Sequence, residues 1–252
     1  MMRDLRFTIA LVFLLPFVAS AEVATAQVRC ASDAEQTTLL ELFTSEGCSS
    51  CPPAEAWLSR LVDSPKLWKE FVPVAFHVDY WDKLGWPDRF ASPAFTERQR
   101  GYVAAWRQRT MYTPGFVVNG QEAGSTGRAS MLERPRGTPG VLIAEQTTTN
   151  RWDVQFTPAA GTTGPFTAHM AVLDGGVKIK VARGENAGRE LTHDFVARFW
   201  QTTEVQAVAG TMTAEMTLPD LPRITGARRA LAVWVSRRGE LTPVQSTGTW
   251  LP

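Results

Sequence analysis

The stretch "GCSSCPPAEAWL", residues 47–58, sets Cys48 and Cys51 in a C-x-x-C spacing and follows them with two prolines and an apolar helical pattern. Upstream, "TTLLELF" (37–43) is a compact apolar run with a β-branched entry, which reads as a buried strand of a central sheet. Downstream, Pro52 and Pro53 are tolerated only in a first helical turn, and Ala54, Trp57, Leu58, Leu61 and Val62 recur at helical spacing. The cysteine pair therefore falls where a strand hands over to a helix. Unpaired N–H groups and a partial positive charge at a helix N-terminus favour a thiolate. Cys48 is thus expected as the exposed nucleophile and Cys51, near the same helix face, as the resolving thiol.

Other uses of the pair are weaker. With three cysteines the chain has no disulfide framework of the kind that holds small secreted domains together, and a staple closing so short a loop gains little. A structural zinc site usually takes four ligands, commonly from two such pairs. The other donors, Cys30, His77, His169 and His193, stand at no ligand spacing, so no metal or other cofactor is expected. Copper handling stays as a rival because soft thiolates select Cu(I), although no Met-rich or His-rich tract accompanies the pair. Cys30 lies in the polar stretch "QVRCASDAEQ" and is expected to be a free or intermolecularly paired thiol on a mobile terminus.

The compartment suits a disulfide. Arg3 and Arg6 precede the apolar run "FTIALVFLLPFVAS", which leads to Ala24-Thr25-Ala26, the order of a signal peptide ending in an A-x-A cleavage site. The run is shorter than the roughly 20 residues of a membrane-spanning helix and is interrupted by Pro16. Residues 1–26 are read as a leader, and the mature chain as periplasmic or secreted with no membrane span after cleavage. Hydrophobic residues at 44% and charged residues at 20% describe an ordinary globular chain. With 26 Lys and Arg against 25 Asp and Glu and no dense basic run, nucleic acid is not an expected partner.

A second motif lies some sixty residues on from the first. "MYTPGFVVNGQEAG" (111–124) reads as a Thr113-Pro114 step, a strand from Phe116 to Val118, an Asn-Gly turn and a short returning strand. Together the two motifs resemble the thioredoxin superfamily. The chain also resembles a family of exported thioredoxin-like proteins of unknown function, through "LELFTSEGCSSCPPAEAWL", "FHVDYWDKLGWPDRFASPAFTERQR" and "YTPGFVVNG". The resemblance implies an α/β, thioredoxin-like fold in which Pro114 is cis and lies against the disulfide, and Thr113-Pro114 presents backbone to a bound substrate.

Between the motifs, "FVPVAFHVD" (71–79) reads as a second strand and "SPAFTERQRGYVAAWRQR" (92–109) as an amphipathic helix. In the connecting "HVDYWDKLGWPD" (77–88), Tyr80, Trp81 and Trp86 are candidate linings of a substrate groove. A metal cluster of His77, Asp79 and Asp82 is the less favoured reading, because a histidine inside a strand pattern is more often a satisfied core residue. Glu41, in the buried strand before the cysteines, is a weak candidate proton relay, with an outward, solvated orientation as its rival.

Past the hairpin, Pro135, Gly137, Pro139 and Gly140 stand where a last helix is expected, so that helix is broken or replaced. Beyond residue 150, "RWDVQF", "FTAHMAVLD", "VKIKVARG", "TMTAEMTL" and "ALAVWVSR" alternate or are rich in β-branched residues. The expected organisation is a thioredoxin-like domain over 27–148 followed by a smaller antiparallel β domain over 149–252. His169, His193 and Asp194 are read there as structural or surface residues. The expected activity is thiol–disulfide exchange with a protein or small-molecule thiol or disulfide substrate and a redox partner protein, in either direction. The alternative is a non-catalytic binding protein or copper metallochaperone on the same fold.

Overall fold

The computed structural model describes residues 27–252; the leader and the cleavage point expected after Ala26 lie outside the described residues. The first half runs β1 (Arg29–Ala31), β2 (Thr38–Thr44), α1 (Pro52–Ser59), β3 (Phe71–His77), α2 (Pro93–Ala105), β4 (Gly115–Val118), β5 (Gln121–Gly124) and β6 (Gly140–Gln146). Strands alone follow: β7 (Arg151–Pro158), β8 (Phe166–Gly175), β9 (Val177–Lys180), β10 (Glu190–His193) and β11 (Val196–Glu204). The chain ends with β12 (Gln206–Val208), β13 (Thr211–Thr217), β14 (Arg228–Arg237) and β15 (Pro243–Leu251). The class is mixed α/β and rich in sheet, with mostly antiparallel pairing.

Strand β2 is buried at every position, as its unbroken apolar run requires of a strand covered on both faces. It pairs parallel with β3 and antiparallel with β4, so each parallel crossover needs a helix, and α1 supplies the one between β2 and β3. Helix α2 starts where Ser92 Oγ accepts the N–H of Ala94, with Pro93 in the first turn, and buries Phe95, Arg98, Gln99, Tyr102 and Val103. The Asn119-Gly120 turn between β4 and β5 needs glycine twice over. Gly120 has φ +80°, and a Cβ there would come within 2.9 Å of the Thr242 backbone.

The expected break at 148/149 is not where the molecule divides. Strands β15, β14, β8 and β11 continue the sheet of β3, β2, β4 and β5, the two halves meeting where Val196 pairs with Ala75 in parallel. Conversely β1 and β6 join β7, β13 and β12 in a separate five-stranded antiparallel sheet. The reason is the alternation along β8 and β14. Ala171, Leu173, Ala230, Ala232 and Trp234 face a core shared with Leu39, Phe43 and Phe76. Met170, Val172, Leu231 and Val233 face a second core with Trp152, Val154 and Phe156. A change from mixed to all-β character in the sequence therefore marks the middle of a layer, not the edge of a domain.

Two local expectations are settled similarly. The last helix is replaced by a short 3-10 turn over Ala129–Leu132, with Met131 buried, leading into β6. Cys30 is not on a mobile tail: it sits in β1 opposite Ala144, buried in the second core, and burial pushes its thiol up to about 11. It is unpaired, but pairing with another molecule is closed to it as folded. Among the described residues no helix is long and apolar enough to cross a membrane.

Candidate functional site

Cys48 and Cys51 are joined in a disulfide between β2 and α1, and the helix begins directly after Cys51, which is its N-cap residue. Pro52 and Pro53 fill the first positions of α1, as their sequence requires, and so remove two of the N–H donors that would otherwise face the sulfurs. Contrary to expectation, Cys48 is not exposed: both cysteines have no accessible surface, and Ser49 and Ser50 form the exposed tip of the turn. Two contacts hold the loop that carries Cys48. Gly47 lies so close to Trp81 that a Cβ would meet its side chain at 3.2 Å. From the other side Asn186, in the loop between β9 and β10, donates from Nδ2 to the carbonyls of both Glu46 and Cys48 at 2.9 Å.

The Thr113–Pro114 peptide is cis, and Ser50 Oγ lies 3.5 Å from the Thr113 carbonyl. Ser50, Thr113 and Pro114 share a surface groove of about 600 Å³ with Trp57, Arg60, Tyr112 and Gly127. The aromatic walls are therefore Trp57 and Tyr112. Trp81 supports the groove from behind, its Nε1 donating to Thr113 Oγ1 at 2.8 Å, whereas Tyr80 donates to Gln99 and Trp86 donates to Glu46. Glu41 is not solvated. It is fully buried in an ion pair with Arg98 at 2.6 Å and accepts from Tyr102.

Behind the disulfide lies a group of five buried titratable side chains. Glu46 precedes Cys48, and Glu55 sits one helical turn after Cys51, its N–H bonded to the Cys51 carbonyl. His77 ends β3, Asp88 follows on the next loop, and His193 ends β10. His77 Nδ1 is 2.7 Å from Asp88 Oδ2. His193 Nδ1 is 2.9 Å from Glu55 Oε2, though too far off the N–H direction for a hydrogen bond, and its Nε2 is 3.7 Å from Glu46 Oε1. Burial works against charge on His77, but Asp88, helped by Glu55 and Glu46, carries its pKa to about 9. Burial likewise raises Asp88, and the attraction of His77 outweighs it, holding the carboxyl at about 2. Glu55 is pushed up by burial and brought below its ordinary value by His193 and His77. Glu46 is raised, by burial first and then by Asp88.

Ligand atoms of Glu55, His77 and His193 all lie within 4.8 Å of one another. Asp79 and Asp82 are not part of this group: Asp79 accepts from Thr96, and Asp82 accepts from the Asp88 N–H. Sequence spacing missed His193, Glu55 and Asp88 because the members come from α1, β3, the loop after it and β10. The usable signals were weak ones, a glutamate one turn into a helix and a histidine alternating inward on a short strand.

A family model described as "protein of unknown function (DUF1223)" matches residues 39–236, and the chain belongs to that family. No curated protein matches the chain in sequence. Among solved structures, it is similar to a structural-genomics crystal structure of an Agrobacterium tumefaciens protein. That match has 22% identity and a TM-score of 0.60, and spans 86% of this chain and 95% of the other. It is also similar to HBP35 of Porphyromonas gingivalis at 16% identity and a TM-score of 0.59, over 86% of this chain and 76% of that one. At these identities the likeness concerns the fold alone.

Proposed function

We propose that the protein is an exported thiol–disulfide oxidoreductase whose centre is Cys48 and Cys51 on a thioredoxin-like core. The observation that carries the reading is the placement of the Cys48–Cys51 disulfide at the β2–α1 junction, across Ser50 from Thr113 and Pro114 and beside an open groove. The order β2-α1-β3-α2-β4-β5 and the fit of the two sequence motifs to it support the thioredoxin-like assignment. In the reducing direction the Cys48 thiolate attacks one sulfur of a substrate disulfide, and the other substrate sulfur leaves as a thiolate and takes up a proton. The Cys51 thiolate then attacks Cys48 Sγ, restoring the ring disulfide and releasing the second substrate thiol. Two electrons pass from the protein dithiol to the substrate, and the reverse sequence oxidises a substrate dithiol. A peptide segment is the substrate class that fits, lying in the groove against Thr113 and Pro114 and between Trp57 and Tyr112.

The test is trapping in an oxidising compartment, with Cys30→Ser throughout. Cys51→Ser leaves a nucleophile without its resolving partner and is expected to accumulate mixed disulfides on non-reducing electrophoresis, while Cys48→Ser forms none at the centre. Equal adduct levels in both variants, or no adducts together with no insulin reduction by the wild type, would favour the rival, an inert disulfide in a binding protein. The complete burial of both sulfurs is the feature that speaks for that rival.

A further inference from the structure

We propose that Glu55, His77 and His193 form a binding site for a divalent zinc-type cation beside the cysteine pair. The donor set, two imidazoles and one carboxylate, is one that zinc accepts at bond lengths of ~2.0–2.2 Å. Around a tetrahedral zinc, ligand atoms at such lengths lie about 3.3 Å apart; His193 Nδ1 and Glu55 Oε2, 2.9 Å apart with no hydrogen bond between them, need move only a few tenths of an ångström.

The polar atoms here are oriented as ligands are. Asp88 engages Nδ1 of His77, so that nitrogen keeps its proton and Nε2, buried with no partner, is the one that gives up its proton to a metal. A carboxylate behind the imidazole is the usual outer support of a metal-ligating histidine. Glu55 is held in place by the Thr44 hydroxyl, and Glu46 by the Trp86 indole N–H. Both ring nitrogens of His193 and Oε1 of Glu46 also lack hydrogen-bond partners, although both side chains are essentially inaccessible. Buried polar atoms without partners are rare because each costs its full desolvation, so unpartnered nitrogens on His77 and His193, two side chains whose ligand atoms lie within 4.8 Å of each other and of Glu55, call for a ligand.

There is a way in. A hollow of about 470 Å³ between α1 and β10 has Pro52, Glu55, Ser59, Leu191 and Thr192 in its wall. Among the described residues, strand β10, which carries His193, pairs with β9 alone, outside both large sheets.

This site does not depend on thiol exchange, and its test uses the oxidised mature chain, in which neither Cys48 nor Cys51 is a free thiol. Protein stripped with chelator, incubated with Zn²⁺ and desalted is expected to retain about one zinc per chain. Co²⁺ in its place should give the visible d–d absorption of a site of low coordination number. Cys48→Ser/Cys51→Ser should bind as the wild type does. Glu55→Gln and His193→Gln should lose the metal with their circular dichroism unchanged, and Asp88→Asn should weaken binding by about 10–100-fold. No retained zinc and no Co²⁺ absorption in the wild type would overturn the proposal, even if the ligand variants fail to fold. So would retention that survives both ligand substitutions, or that disappears with the cysteines.

Discussion

Glu41 and Arg98 meet inside the sheet with no accessible side-chain surface on either, and Phe76, Tyr102, Trp200 and Trp234 place their rings within 5.6 Å of the guanidinium carbon. Removing one partner of such a pair strands the other charge in an apolar enclosure. Glu41→Gln is therefore expected to cost about 3–5 kcal/mol in urea unfolding, whereas a relay role would instead lower exchange activity with stability intact. His169, stacked on Trp234 and bonded to Ser236, is the neighbouring case. Burial, and then Arg98, depress its pKa well below the ordinary 6.5. The unfolded chain takes up a proton there that the folded chain refuses, so this contribution to stability is complete above pH 6.5 and is lost as the pH falls below it. Comparing wild type with His169→Gln, the stability difference should shift by about 1–2 kcal/mol in favour of the variant between pH 6.5 and 5. Parallel pH profiles for the two would count against a neutral buried His169. The sequence showed that Glu41 stood in a buried strand. It could not show its partner, because Arg98 arrives from a helix whose polar positions look solvated until the sheet closes over them.

At the scale of elements, β2, α1, β3, α2 and the β4–β5 hairpin were legible because each carries its own local signal: an apolar run, a proline pair, a Ser-Pro cap, an Asn-Gly turn. Of the β9–β10 hairpin, only β9 was legible, within "VKIKVARG"; β10 was not read as a strand, and neither was legible as part of the site. Nothing local in "VARGENAG" indicates that Asn186 reaches back to the Glu46 and Cys48 carbonyls, 140 and 138 residues away in sequence. That contact closes one side of the cysteine loop, and Asn186→Ala should open it. Losing two hydrogen bonds worth ~0.5–1.5 kcal/mol each makes local opening roughly tenfold or more easily populated. Alkylation of Cys48 in reduced protein should accelerate by a similar factor, measured by mass spectrometry against Cys30 as the internal buried control. An unchanged rate would mean that the loop does not govern access to the sulfur.

Over the whole molecule, the halves on either side of residue 148 are joined by more than one strand pair. Trp68 packs edge-on against Phe195 and Trp250, and Gly248 in β15 has no side chain where a Cβ would fall 2.5 Å from the Trp68 ring and 2.8 Å from the Leu231 carbonyl. Gly248→Ala must push one half off the other and is expected to destabilise the protein by about 1–3 kcal/mol. The composition change near residue 150 could not reveal this. Periodicity reports which residues of a strand face inward, but not that β8 and β14 feed two cores at once. The same architecture sets the fate of the isolated first half. In residues 27–148, β3 would expose the edge that pairs with β11, β1 and β6 would lack the rest of their sheet, and Trp68, Phe43 and Phe76 would lose apolar partners from β8, β11, β14 and β15. An unpaired apolar edge and a half-covered core favour association over folding. We expect the 27–148 fragment to give no cooperative thermal transition and no dispersed amide spectrum, while the 27–252 chain unfolds in a single calorimetric transition whose calorimetric and van't Hoff enthalpies agree. A fragment that unfolds cooperatively, or two separable transitions in the longer chain, would restore the boundary at 148 as a true domain edge.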